Sequence, residues 1–146
     1  MQYISTLIYS SFIFMLLGCD PLVTEFSNDE TPKKYTSKTL TTPPNKDTLT
    51  VASWNIRFGI GRAKWFGDSC GDIVIFDDEQ IKDGLELLAK KISEIDADIL
   101  LLQEVDIESK RSAYVDQVQW LLDHTDLNYG VYASMWKVQF IPSDGL

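Results

Sequence analysis

The spacing of apolar residues from position 47 onward predicts a strand, a helix and a second strand. The segment 48–55, TLTVASWN, alternates between two faces of an extended chain, as a strand does. Apolar residues then recur at the spacing of one helix face: Ile81, Leu85, Leu88, Ile92 and Ile95. The apolar run at residues 99–102 that follows is typical of a strand buried on both faces. A strand, a helix and a strand in this order predict a parallel βαβ unit.

Both predicted strands end in polar side chains. Asn55 closes the first strand, and Gln103 and Glu104 close the second. Parallel strands place their carboxyl ends at the same edge of a sheet, where open α/β sheets usually bind a ligand. A carboxylate at the edge of an apolar core is costly unless a partner such as a cation neutralises it. The pattern therefore allows Asn55 and Glu104 to face one site. The alternative is that the two strand ends are together only because every parallel βαβ unit places them so.

The elements expected after this unit are a helix and two short strands. A second helix is predicted over residues 112–124, with Val115, Val118 and Leu122 facing inward. Two closing strands joined by a short turn are predicted at residues 129–135, YGVYASM, and at residues 137–141, KVQFI.

The first 46 residues differ in composition from the rest of the chain. Residues 4–17 form an uncharged apolar run, which is the h-region of a signal peptide and is too short to cross a bilayer comfortably. The run ends in LLGC, which resembles the lipobox of bacterial lipoproteins. This resemblance implies cleavage before Cys19 and acylation of its thiol and its new amino group. A signal peptide that merely contains a cysteine is the alternative.

The expected organisation is a signal peptide at residues 1–18, a tether at 19–46 and a folded part at 47–146. Thr, Ser, Pro and Lys dominate residues 20–46, which show no helical or strand periodicity and predict a flexible tether. The mature chain is thus expected to be lipid-anchored in the bacterial cell envelope, facing the periplasm or the cell exterior.

Charge and cysteine content narrow the classes of partner. The formal net charge of −9 and the pI of about 4.4 argue against a basic groove that binds nucleic acid through its phosphates. This charge does not exclude phosphate substrates, because a bound divalent cation can reverse the sign of the electrostatic potential around it. If Cys19 is lipidated, Cys70 has no partner within the chain and is interpreted as a bystander thiol in a loop.

The segment 49–59, LTVASWNIRFG, and the segment 96–106, DADILLLQEVD, are together similar to the first two motifs of the endonuclease/exonuclease/phosphatase superfamily. This superfamily includes deoxyribonuclease I, apurinic endonucleases, neutral sphingomyelinases and inositol polyphosphate phosphatases. Residues 111–117, RSAYVDQ, resemble a further segment of its bacterial members. The resemblance covers residues 48–117. It implies a four-layer α/β sandwich, two packed β-sheets flanked by helices, of which this chain is expected to be the N-terminal part.

The resemblance also implies roles for single residues. Glu104 becomes the carboxylate ligand of Mg²⁺, or alternatively Mn²⁺, and Asn55 becomes the amide beside it; both are implied to hold the metal and to be catalytic. Mg²⁺ prefers oxygen ligands and is usually held by one or two protein groups plus substrate phosphate. Arg57 either holds a substrate phosphate or anchors neighbouring carboxylates. For Arg111 the structural role is favoured, and His124 matches neither catalytic histidine of the family.

These roles predict an exported, lipid-anchored, Mg²⁺-dependent hydrolase of phosphodiesters or phosphomonoesters. The family's later motifs, an Asp-x-Asn segment and an Asp-His pair, supply acid–base chemistry and are expected beyond residue 146. The chain alone is therefore expected to be inactive. The sequence does not distinguish between nucleic acids, phospholipids, nucleotides and sugar phosphates as the substrate. The alternative, from another class, is a non-catalytic lipoprotein of the cell envelope that keeps the βαβ unit as a binding module.

Overall fold

A computed structural model describes residues 30–137, which adopt a mixed α/β fold with two small sheets and two helices. The signal peptide, Cys19 and residues 138–141 of the last predicted strand lie outside the described residues. In chain order the elements are β1 (Lys33–Thr36), β2 (Val51–Asn55), a 3₁₀ turn (Arg57–Gly59), α1 (Asp78–Ile95), β3 (Ile99–Gln103), α2 (Gln117–Asp123) and β4 (Tyr129–Tyr132).

The predicted parallel βαβ unit is confirmed. β2 and β3 pair in parallel, with Asn55 opposite Gln103, and α1 connects them. α1 begins at a capping box: the Gln80 backbone N–H donates to Asp77 Oδ1 at 2.8 Å, and the Asp77 N–H donates to Gln80 Oε1 at 3.0 Å. These two bonds satisfy donors that the first turn of a helix leaves without partners. The crossover helix therefore starts at a residue that the sequence itself specifies.

The buried face of α1 packs on the 3₁₀ turn that follows β2. Ile81 and Leu85 are 0% exposed, and Phe58 in the turn is 1% exposed. Gly84 permits this close contact, because a Cβ built there would lie 1.7 Å from the carbonyl oxygen of Gly59. The helix backbone and the turn are thus in direct contact, which fixes the chain as it leaves β2.

A second, antiparallel sheet is formed by β1 and β4, with Tyr35 opposite Gly130. This differs from the flexible tether predicted for residues 19–46, since part of that segment is a strand. Tyr35 is 7% exposed and its hydroxyl donates to Asp116 Oδ2 at 3.0 Å. A four-residue strand with one inward side chain is too short to produce a readable alternation in a Thr- and Lys-rich segment.

The second helix is shorter than the predicted 112–124. Ala113 and Tyr114 have φ angles of 53° and 59°, which are left-handed and interrupt a helix. The Tyr114 N–H instead donates to the Ser109 carbonyl at 2.8 Å. α2 begins only after Asp116, whose carboxylate accepts the Gln119 N–H at 3.1 Å as an N-cap.

One face of the parallel pair is exposed within residues 30–137, contrary to the prediction that residues 99–102 are buried on both sides. Val51, Ile99 and Leu101 are 57%, 43% and 52% exposed. The opposite face, which includes Trp54 and Leu102, packs against the core. In the same part of the chain, no helix is long and apolar enough to span a membrane.

We expect acid to weaken the contact between α2 and the segment after β1. Asp123 Oδ2 lies 2.7 Å from Lys38 Nζ, and Asp123 Oδ1 accepts the Lys38 backbone N–H at 3.0 Å. The Lys38 ammonium and N–H lower the pKa of Asp123 to about 2, whereas an unfolded chain has about 3.9. A depressed pKa stabilises the fold above the unfolded value, and this contribution disappears as the pH falls from about 4 to about 2.

Thermal melting of the full chain and of Asp123→Asn at about pH 5 and about pH 2 tests this expectation. The drop in Tm on acidification should be smaller in the variant, which has no carboxylate to protonate at this position. Asp126→Asn is the matched control, because Asp126 is exposed and lies nearby on the same segment. Equal drops in Tm for wild type and Asp123→Asn would contradict the expectation.

Candidate functional site

The polar ends of β2 and β3 meet, as the sequence predicts. Asn55 Nδ2 donates a hydrogen bond to Glu104 Oε1 at 2.8 Å. Asn55 Oδ1 accepts the backbone N–H of Arg57 at 3.0 Å. Both hydrogen bonds require the same orientation of the Asn55 amide, because a carboxylate can accept a hydrogen bond only from the NH₂ group of that amide. Asn55 therefore positions the Glu104 carboxylate.

The backbone is strained at Glu104 and at Arg57, which lies two residues after Asn55. Glu104 and Arg57 have φ angles of 55° and 47°, a region that non-glycine residues rarely adopt. Two backbone hydrogen bonds hold this geometry: Phe58 N–H donates to the Glu104 carbonyl at 2.8 Å, and Ile56 N–H donates to the Gln103 carbonyl at 3.0 Å. Strain of this kind costs about 1–3 kcal/mol per residue and concentrates at functional sites.

Glu104 retains capacity for a further partner. Its side chain is exposed, and among the described residues it forms no ion pair and its Oε2 accepts no hydrogen bond. The same part of the chain contains no group of three or more His, Cys, Asp or Glu side chains that could hold a metal. One carboxylate beside one amide fits Mg²⁺, which keeps several waters and takes the remaining oxygens from substrate. The donor set thus suits a hard cation held mainly by Glu104.

Arg57 is anchored by the loop that follows the 3₁₀ turn. Its Nη2 lies 2.6 Å from Asp68 Oδ2, and its Nη1 donates to the Gly61 carbonyl at 2.9 Å. The Trp65 backbone N–H also donates to Asp68 Oδ2 at 3.0 Å, and this bond, together with Arg57, lowers the pKa of Asp68. Of the two predicted roles of Arg57, the structure displays the anchoring one. Binding of a substrate phosphate stays a prediction.

Arg111 has the structural role favoured from the sequence. Its Nε and Nη2 donate to the two carboxylate oxygens of Asp106, each at 2.8 Å. The guanidinium lies 3.9 Å from the ring centroid of Phe58, and Ser112 Oγ donates to Asp106 Oδ2 at 2.9 Å. Bidentate pairing and stacking hold the loop after β3 against the turn after β2.

Gln117 completes this arrangement and was missed from the sequence. Its side chain is 0% exposed; Nε2 donates to the Phe58 carbonyl at 2.6 Å, and Oε1 accepts the Asp106 N–H at 3.0 Å. One amide therefore joins the turn after β2 to the loop after β3. The only available signal was its place at the end of RSAYVDQ, a segment noted for its resemblance and not for its contacts.

The remaining titratable candidates lie apart from the Asn55–Glu104 pair. His124 closes α2, with Nδ1 at 2.7 Å from the Trp120 carbonyl and its ring stacked on Trp120 at 3.8 Å. Cys70 is an exposed free thiol in the loop after the turn. Neither residue adds a group to the candidate site.

Comparison with known proteins adds no assignment. Protein-family models, curated proteins and solved structures all fail to match this chain. The interpretation of the site therefore depends on its geometry and on the motifs in the sequence.

We expect Gln117→Ala to lower the free energy of unfolding by about 2–4 kcal/mol. The change leaves the Phe58 carbonyl and the Asp106 N–H buried without their partner, and each such group costs about 1–3 kcal/mol. Gln119→Ala is the matched control on the same helix. Its bonds to the Thr36 carbonyl and to Asp123 are less buried, so the cost should be about 1 kcal/mol or less. Urea denaturation measures both, and equal midpoints for the two variants would refute the bridging role.

Proposed function

We propose that this chain forms the metal-binding part of an exported, lipid-anchored, Mg²⁺-dependent phosphoesterase. The observation that supports this most directly is the 2.8 Å hydrogen bond between Asn55 and Glu104 at the shared carboxyl edge of β2 and β3. Two polar residues from separate motifs meet there, and one of them is a carboxylate without a basic partner among residues 30–137. Ligand sites of open α/β sheets occupy this edge.

The chain's own residues would each have a defined part in the chemistry. When bound, Mg²⁺ or Mn²⁺ would polarise a phosphoryl oxygen and stabilise charge on the leaving oxygen. Glu104 would supply the negative charge that holds the ion, and Asn55 would keep its carboxylate in one orientation. Gln117 and Arg111 would hold the loop and the turn around this pair in register. Precise support of this kind matters, because small displacements of a site are costly in rate.

The finer fold, a four-layer sandwich of two packed sheets, belongs to the same proposal. The exposed face of β2 and β3 supports it, since Val51, Ile99 and Leu101 form an apolar surface there. Parallel strands are ordinarily covered on both faces. A second sheet against this surface would complete the sandwich that the motifs imply.

At the site, residues 30–137 supply no general acid or general base for the proposed enzyme. The chain's single histidine, His124, is stacked on Trp120 at the end of α2. We propose that the acid and the base come from the family's later motifs, which residues 30–137 do not contain. Residues 30–137 alone would then bind the metal ion and turn over no substrate.

We expect Glu104→Gln to weaken Mg²⁺ binding by the full chain at least tenfold, which corresponds to about 1.4 kcal/mol or more. The substitution keeps the size of the side chain and its hydrogen bond to Asn55, but removes the charge. Isothermal titration with Mg²⁺ and with Mn²⁺ measures the change. Glu108→Gln is the matched control, because Glu108 is exposed, carries the same charge and follows Glu104 in the same loop.

The same pair of variants tests catalysis in a longer chain that includes the later motifs. There, hydrolysis of bis-nitrophenyl phosphate should fall by orders of magnitude in Glu104→Gln and stay near wild type in Glu108→Gln. Wild-type metal affinity in Glu104→Gln would remove the basis of the proposed function.

The proposed anchor makes a separate prediction. Because the apolar run stops at LLGC, the mature chain should begin at Cys19 and carry acyl chains on its thiol and amino group. More than one acyl chain makes membrane anchoring stable. Mass spectrometry of the N-terminal peptide should find cleavage before Cys19 and added lipid mass, and Cys19→Ser should abolish both. An unmodified Cys19, or an intact Met1, would contradict the anchor.

A further inference from the structure

A partly exposed ion pair connects the candidate site to the loop that follows the 3₁₀ turn. Arg57 Nη2 lies 2.6 Å from Asp68 Oδ2, and the two side chains are 33% and 40% exposed. The Arg57 backbone N–H donates to Asn55 Oδ1, so this arginine begins beside the amide that orients Glu104. Ion pairs exposed to water contribute only about 0–1 kcal/mol. A stronger anion can therefore replace Asp68 at little cost.

The two arginines near the site are paired with carboxylates in different ways. Arg111 donates from Nε and Nη2 to both oxygens of Asp106, and these two side chains are only 14% and 11% exposed. Arg57 meets Asp68 through a single oxygen, Oδ2, and donates from Nη1 to the Gly61 carbonyl. A guanidinium binds most strongly when two parallel N–H groups reach two oxygens of one anion, and phosphate fits this arrangement. Arg111 is therefore committed to its carboxylate, whereas Arg57 can exchange partners.

The loop keeps its shape without the Asp68 carboxylate. The Asp68 backbone N–H donates to the Trp65 carbonyl at 2.8 Å and closes a turn that does not involve the side chain. Trp65 also packs edge-on against Phe58, with ring centroids 5.4 Å apart. Within residues 30–137, the carboxylate accepts one bond besides that of Arg57, from the Trp65 backbone N–H at 3.0 Å. Asp68 can thus turn away from Arg57 while the loop stays folded, and the Trp65 N–H reports the change.

We propose that Asp68 competes with the substrate phosphate for Arg57. In the free protein the Asp68 carboxylate pairs with the guanidinium. A phosphate group of the substrate, which can accept from two N–H groups of the guanidinium at once, displaces the carboxylate, and Asp68 turns into solvent. The inference rests on the proposed function, since it takes the displacing anion to be part of a phosphoester substrate. Arg57 then has both of the roles that its position in the sequence leaves open, one in each state.

Titration of the full chain with inorganic phosphate in EDTA tests the competition. Asp68→Asn should bind phosphate about threefold more tightly than wild type, because the neutral amide no longer holds the guanidinium by charge. Its side-chain oxygen can still accept the Trp65 N–H, which preserves the turn. Asp72→Asn is the matched control and should bind like wild type, because it removes the same charge from an exposed position in the same loop. Equal or weaker phosphate binding by Asp68→Asn overturns the proposal, and so does a gain that survives the addition of Arg57→Gln.

Hydrogen exchange of the wild-type chain in EDTA is a second measurement that needs no variant. Phosphate should speed exchange at the Trp65 amide relative to chloride at the same ionic strength, because this N–H loses its acceptor when Asp68 turns away. Exchange in α1 should stay the same, which shows that the chain is still folded. Unchanged or slower exchange at Trp65 overturns the proposal. Because EDTA removes divalent ions, both measurements are independent of Mg²⁺ binding by Glu104, and their failure leaves the metal prediction untouched.

Discussion

One buried amide holds together the two loops on which the candidate site depends. Gln117 donates to the Phe58 carbonyl and accepts the Asp106 N–H while 0% exposed. A buried polar group without partners is costly, so each of these groups favours the conformation in which all are paired. The Arg111–Asp106 pair and its stacking on Phe58 extend the same network. The turn after β2 and the loop after β3 are therefore positioned by one another.

This mutual positioning explains how strained residues persist at the site. Left-handed backbone at Glu104 and Arg57 is unfavourable by itself. This backbone conformation is maintained because neighbouring carbonyl and N–H groups form hydrogen bonds. Those hydrogen bonds would break if the backbone relaxed to a more favourable φ. Asn55 adds a side-chain bond on each side, to Glu104 and to the Arg57 N–H. The carboxylate is thus pre-oriented by the protein, and a cation would meet an arranged ligand.

Sequence patterns predicted the elements whose signals are long or local. The period of α1 and the parallel pairing of β2 with β3 were readable because each depends on many residues. β1 was missed, since its one inward residue, Tyr35, gives no period. The Gln117 bridge was missed because its two hydrogen-bond partners lie in loops that are distant in the sequence. Only the folded structure brings these loops next to Gln117. Burial on both faces of β3 was predicted from its apolar composition alone. An apolar composition shows that a strand can be buried, but it does not show which neighbouring elements cover each face.

The pairing of β1 with β4 has a consequence for the order in which the chain folds. Lys33 lies opposite Tyr132, 99 positions later, so this sheet closes a loop that encloses the whole βαβ unit. Closing long loops is slow relative to local helix and strand formation. During synthesis β1 is made first, yet it must wait for β4 before it has a partner. The Thr- and Lys-rich composition around β1 suits this delay, because such a segment stays soluble while the apolar elements assemble without it.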